Sequence, residues 1–186
     1  MSGPFTPTSD ADWPADIADM RTGFAGQLNV YRMMAHHPDL LRAWSGLRHH
    51  VVHASSLGRE RAEIVILRLA YRLSSSYEWD QHVLRGLKAG LSKPRIAALR
   101  GPLAEIAHDD ALLAGAVDSM LDQSRLSPEQ MVQLENLIGR PALLDLFATM
   151  GMYLTLGFLL NSTECPLDPE VAADLARTAP KLAASS

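Results

Sequence analysis

Apolar positions along this chain recur at spacings of three and four and nowhere alternate long enough to suggest a half-buried strand. From Asp39 to His53, Leu40, Leu41, Trp44, Leu47 and Val51 draw one helical stripe, and Ser55 to Gly58 reads as a turn. Between Arg59 and Leu73 the polar face nearly vanishes. Ile64, Val65, Ile66, Leu67, Leu69 and Ala70 could pass for a buried strand, but the length and flanking period favour a helix. Ser75 to Gly90 is the next helix, closed by a C-terminal glycine. Ser92-Lys93-Pro94 opens a short one ending at Gly101-Pro102, and Asp109 or Asp110 is placed to cap another reaching Gln123. Ser127-Pro128-Glu129-Gln130 combines capping-box spacing with a first-turn proline. That helix is expected to run to Ile138, break at Gly139-Arg140-Pro141 and continue as the apolar helix Ala142 to Leu160. Asp168 is placed to cap a last helix to Arg177.

The ends are less regular. Ala15 to Ala35 is weakly helical and split by Gly23 and Gly26, and His37-Pro38 stops it. Residues 1–14, with Pro4, Pro7 and Pro14, read as an extended N-terminal arm, and Lys181 to Ser186 as a fraying tail. The expectation is one all-α domain over residues 15–180, with roughly seven to nine helices in orthogonal or bundle-like packing.

Composition supports a packed domain: 186 residues, 47% of them apolar and 20% charged, can bury a core. The formal charge is −4 and Lys and Arg form no block, so nucleic acid is not an expected partner. The apolar run Ala142 to Leu160 is interrupted by Asp145, Gly151 and Gly157 and falls short of the ~20 clean residues of a span, so no membrane partner is expected either. Such a helix belongs in a core or a subunit interface. One cysteine, Cys165, permits neither an internal disulfide nor a cysteine zinc site. The N-terminus lacks the basic and apolar regions of a signal peptide, so a cytoplasmic location is expected.

Candidate chemistry gathers around Ser74-Ser75-Ser76-Tyr77-Glu78-Trp79-Asp80-Gln81-His82. Successive helical residues turn by about 100°, which puts positions 75, 78 and 82 within about 60° of one another. Glu78 and His82 are an i, i+4 pair. Glu63 shares the inward side of the preceding helix with Ile66, Leu67 and Ala70, where a carboxylate needs a partner, and His82 is the obvious one. On this reading His82 is a general acid/base, Glu63 orients it and Glu78 is a second proton carrier. Ser75 would donate a hydrogen bond to substrate, and Arg85, one turn beyond His82, would hold a substrate carboxylate. The competing readings are structural. Ser75 and Glu78 have capping-box spacing, Glu78–His82 could be a solvated pair, Glu63 could pair with Arg59, and Arg85 could be solvated. His49 and His53 share a helical face, but no third ligand is indicated, so no metal is assigned. Arg68 and Arg72 are expected to snorkel at the surface or an interface, and Cys165 lacks the basic neighbour of a nucleophile.

At these residues the sequence resembles the carboxymuconolactone decarboxylase and alkylhydroperoxidase D superfamily. The resemblance is carried by "HPDLLRAW", by "RERAEIVILRLAYRLSSSYEWDQHVLRGLKAGLS", and by "LFATMGMYLTLGFLLNSTECPLD", which looks like the family's closing helix. The hydroperoxidase branch has Glu followed by Cys-x-x-Cys-x-x-x-His. Here its glutamate falls on Glu63 and its histidine on His82, but its two cysteines fall on Ser75 and Glu78. Serine and glutamate cannot cycle through a disulfide or a sulfenic acid, so the dithiol peroxidase reaction is excluded. The proton-handling half survives and looks like the decarboxylase-type branch. That implies a cofactor-independent lyase or hydrolase acting on a small carboxylic acid or lactone. It also implies an alkylhydroperoxidase D-like helical fold and a homo-oligomer, commonly a trimer or hexamer. The alternative is a non-catalytic oligomeric or ligand-binding member.

Overall fold

The computed structural model of the protein describes residues 5–184. Over these it contains α1 (Phe24–Gln27), α2 (Asn29–Met34), α3 (Pro38–His49), α4 (Arg59–Arg72), α5 (Ser76–Ala89), α6 (Lys93–Ala98), α7 (His108–Gln123), α8 (Pro128–Thr163) and α9 (Pro169–Thr178), with short 3-10 and π turns between them and no strand among the described residues. The all-α expectation therefore holds. The apolar run Ile64–Ala70 resolves as helix because α4 is the central element: α5, α7 and α8 pack around it, and every residue of the run is buried.

Boundaries follow the local chemistry in most places. Ser127 and Gln130 form the reciprocal capping box at the start of α8, Ser92 caps α6, and Gly90 closes α5 at φ 106°. The break in α8 falls at Gly139, whose φ of 78° is left-handed, two residues before Pro141.

Other expectations are corrected. The third helix does not continue regularly to His53; His50–Ala54 widens into a π turn. The Asp145 carboxylate holds this turn to α8, accepting from His50 Nε2 at 2.6 Å and from the Ser56 amide at 2.5 Å. Neither Asp109 nor Asp110 caps α7; Asp110 instead takes a bidentate pair of bonds from Arg95. Arg68 does not snorkel. Its buried guanidinium grips Asp118 with two nitrogens at 2.9 and 2.6 Å and donates to the Leu99 and Gly101 carbonyls.

The N-terminal arm, from Phe5 on, lies against α2: the Thr8 hydroxyl donates to the Arg32 carbonyl, and Arg32 returns bonds to the Thr8 carbonyl and Asp10. Residues 1–4 lie outside the described residues. The tail does not fray as far as Ala184. The Leu182 carbonyl accepts from Trp79 Nε1, and the Ala184 amide donates to Asp80; the remaining two positions lie outside the described residues.

By length and composition α8 could cross a membrane, yet 56% of its most apolar window is buried in the domain, as in a central core helix. Its outer face keeps Leu144, Phe147 and Phe158 exposed.

Candidate functional site

The chain reverses from α4 into α5 through Leu73–Ser75, with Ser74 held in the left-handed region at φ 53°. The reversal sets the inner faces of the two helices together and brings Glu63 to His82. Glu63 Oε2 lies 2.6 Å from His82 Nδ1, and Glu78 Oε2 lies 3.3 Å from Nε2. His82 is only 2% exposed and packs edge-on to the ring of Tyr153, centroids 5.0 Å apart. Both ring nitrogens thus face carboxylates, an arrangement that suits an imidazolium donating on each side. Burial opposes that charge, but the Glu63 carboxylate and the bonds to Glu63 and Glu78 outweigh it and raise the His82 pKa above its ordinary value. The solvated-surface reading of the Glu78–His82 pair and the Arg59 partner for Glu63 are both corrected.

Two cavities flank this chain of groups. One, of about 100 Å³, is lined by Glu63, Arg85 and Tyr153 together with His53, Arg59 and apolar side chains from the π turn and α4. The other, of about 10 Å³ and room for one water at most, is lined by Glu78, His82, Arg85 and Tyr153. Glu63 therefore faces the larger space, while His82 sits behind it. Arg85 is half-buried, borders both cavities and makes neither a hydrogen bond nor an ion pair with any described residue. The surroundings of the larger cavity are cationic. Burial, aided by Arg48, His49, Arg59 and Arg85, pushes the His53 pKa down.

Ser75 is placed elsewhere. It does not cap α5, and its backbone N–H is taken by the Ala70 carbonyl, so the capping-box reading is corrected. It lines a third cavity with Trp79 and Arg100 rather than the two at the relay.

Several participants carried no usable sequence signal. Tyr153 is the lone phenol of an apolar helix, and only tertiary packing brings it to His82. Asp168, expected to cap α9, instead accepts from the Tyr77 hydroxyl at 2.5 Å, Gln81 Nε2 at 2.6 Å and the Asn29 amide at 2.8 Å. It pins the first turns of α5 to the rest of the domain. One carboxylate oxygen, Glu78 Oε1, is buried without a partner. His49 and His53 stack with centroids 5.4 Å apart, and His53 reaches the larger cavity by way of the π turn.

A carboxylate–imidazole–carboxylate chain is thus set between two core helices, with Arg85 beside it. Residues 38–117, which span α3 to most of α7 and include Glu63, Ser75, Glu78, His82 and Arg85, match the carboxymuconolactone decarboxylase family. A solved structure, a cysteine-to-alanine variant of the debrominase Bmp8 in complex with 2,3,4-tribromopyrrole, has the same fold, with a TM-score of 0.72 and 14% identity over 95% of this chain and 98% of that one. The family match thus covers the stretch that carries the candidate site, and the solved structure shares the fold of the whole domain. No curated protein matches it.

Proposed function

We propose that the protein is an acid–base enzyme, a decarboxylase/lyase or hydrolase, acting on a small carboxylic acid or lactone in the cavity shared by Glu63 and Arg85. One observation carries this: a half-buried arginine without a partner among the described residues borders the same space as Glu63, the open end of the Glu63–His82–Glu78 chain. The unpaired guanidinium supplies a fork for a substrate carboxylate, with His53 and Arg59 at the rim. Glu63 exchanges the proton with substrate, and His82, already biased toward its charged form, replaces or receives that proton from behind. Glu78 takes up the balance of charge on the far side. Compared with the sequence reading, Glu63 and His82 trade places: the carboxylate meets the substrate and the imidazole is the reservoir.

Size limits the substrate. A cavity of about 150 Å³ accommodates benzene, so about 100 Å³ suits a molecule of one small ring or less. The debrominase's ligand is itself a single small ring, which supports small-ring substrates without carrying its reaction to this chain. Thiol chemistry has little support, since burial pushes the buried Cys165 up to about 12. The exposed Leu144, Phe147 and Phe158 support a homo-oligomer built on α8, of the trimeric or hexameric kind the resemblance implies. Light scattering of the purified protein tests that part.

The reaction is tested by assaying small keto acids, unsaturated acids and muconolactone-type acids with the wild type, Glu63→Gln and Arg85→Gln. Turnover lost in both variants is expected. Turnover that survives both removes the mechanism, and a wild type inert toward the whole panel removes the substrate class. The near-complete burial of His82 favours a second reading, a ligand-binding member in which the relay is a strut. It predicts saturable binding of such acids with no turnover at any pH.

A further inference from the structure

The third cavity, at the start of α5, belongs to neither reading above. Its volume is about 350 Å³, inside the range of small-molecule sites. It is lined by Ser74, Ser75 and Ser76, by Tyr71 and Trp79, and by Arg100. Three features of this lining lack partners. The first is the Ser75 hydroxyl: the residue is 1% exposed, and its Oγ is one of three buried side-chain polar atoms among the described residues with no hydrogen-bond partner. A buried hydroxyl without a partner is unfavourable, and few occur in folded proteins.

The second is Arg100. Its guanidinium lies over the Trp79 ring at 4.0 Å, and a single nitrogen, Nη2, donates to the Leu182 and Ala183 carbonyls. Among the described residues Nε and Nη1 meet no acceptor, and no carboxylate lies within ion-pair distance. Burial lowers its pKa, with only the more distant Asp80 as the chief opposing charge. The third is the helix itself. α5 spans Ser76 to Ala89 and starts without a side-chain cap, so its first-turn N–H groups are free, at the positive end of the helix dipole. The nearby Glu78 carboxylate is engaged toward His82.

We propose that this cavity binds a phosphate-type oxyanion carried on a compact aromatic or apolar body. The oxyanion would meet the Ser75 hydroxyl, the first-turn amides of α5 and the free edge of Arg100, while the body rests on Tyr71 and Trp79. A phosphate presents three oxygens to these donors where a carboxylate presents two.

Titration calorimetry of the whole chain with phenyl phosphate is the test, with benzoate, Ser75→Ala, Arg100→Gln and Glu63→Gln as comparisons. Expected are one-to-one binding of phenyl phosphate, binding about tenfold weaker in Ser75→Ala, loss of binding in Arg100→Gln, and unchanged affinity in Glu63→Gln. Without ligand, Ser75→Ala should melt no lower than wild type, since the hydroxyl it removes has no protein partner. The proposal is overturned by the absence of binding at millimolar phenyl phosphate, by benzoate binding as tightly, or by unaltered binding in both Ser75→Ala and Arg100→Gln. Loss of binding in Glu63→Gln would also overturn it, by placing the ligand in the other cavity. None of these outcomes bears on acid turnover at Glu63.

Discussion

The two ends of one short stretch, Ser75 and His82, do opposite things with their polar groups. At His82 every titratable atom but one is engaged: Glu63, the imidazole and Glu78 stand in line beside a cavity of only about 10 Å³. At Ser75 a buried hydroxyl at the edge of a separate cavity has no partner among the described residues. In the hydroperoxidase branch that the sequence resembles, these positions belong to one redox motif. Here the replaced thiol positions have gone separate ways, Glu78 into the relay and Ser75 into a different cavity. A motif can keep its spacing while its residues stop sharing a site.

The largest effect should come from the end that faces substrate. Glu63→Gln keeps the shape but removes the proton-exchanging oxygen, and turnover should fall by about 10²- to 10⁴-fold. Steady-state kinetics on whichever acid the panel identifies is the check. A fall of less than threefold would mean that Glu63 is not in contact with the reacting group. His82→Ala comes next, read by denaturant unfolding. It leaves two carboxylates facing each other across a hole, and the expected loss is about 3 kcal/mol or more. A loss under 1 kcal/mol would show that the relay is wetter than its burial indicates. Asp168→Asn should cost about 2 kcal/mol, because its two oxygens collect three donors from α2 and α5 and the substitution turns one of them into a donor. Thermal melting would reveal it, and an unchanged melting temperature would mean Asp168 does not anchor α5.

Much of this was legible in the sequence, and the failures have particular causes. The period of the apolar residues marks the main helices, and the glycine–proline break in α8 falls where its residues say it must. Glu63 and His82 could be paired in advance because a carboxylate among Ile66, Leu67 and Ala70 needs a partner from the next helix. A helical wheel misplaces Ser75 because it assumes helical backbone, whereas Ser75 has φ −88° and ψ 94° and precedes the first helical residue. Its side chain therefore leaves the stripe that Glu78 and His82 share. Arg68 was misread because its partner Asp118 is fifty residues away on α7, a distance over which spacing says nothing. Tyr153 and Asp168 failed for the same reason.

The relay also makes a pH prediction with a definite sign. The folded pKa of His82 is raised, so its stabilising contribution is complete below the unfolded value of about 6.5 and fades as pH rises through the higher folded value. The stability gap between wild type and His82→Gln should therefore be widest between about pH 5 and 6.5 and should narrow toward alkaline pH. In the stability of either protein, rather than in the gap between them, Asp145 acts with the opposite sign at lower pH. Burial would raise its pKa, but the bonds from His50 and Ser56 hold it below the usual carboxylate value, so its contribution is lost as pH falls. A gap that widens with alkalinity would mean the imidazole is neutral at rest.

The smallest effect is the most discriminating for the other end of α5. Ser75 and Ser127 both precede helices, both stand three residues before an acidic or amide side chain, and both look like caps from sequence. Only Ser127 caps, accepting from the Gln130 amide at 3.1 Å while Gln130 bonds back to the Ser127 amide at 2.9 Å. Ser127→Ala should cost about 1 kcal/mol. Ser75→Ala should cost nothing and can stabilise slightly, since a buried hydroxyl without a partner is replaced by a methyl group at the same place. Measured side by side by urea unfolding, equal losses would restore Ser75 as an ordinary cap. Unequal losses would mean that the hydroxyl is kept at a cost to stability, which is what a group waiting for a ligand does.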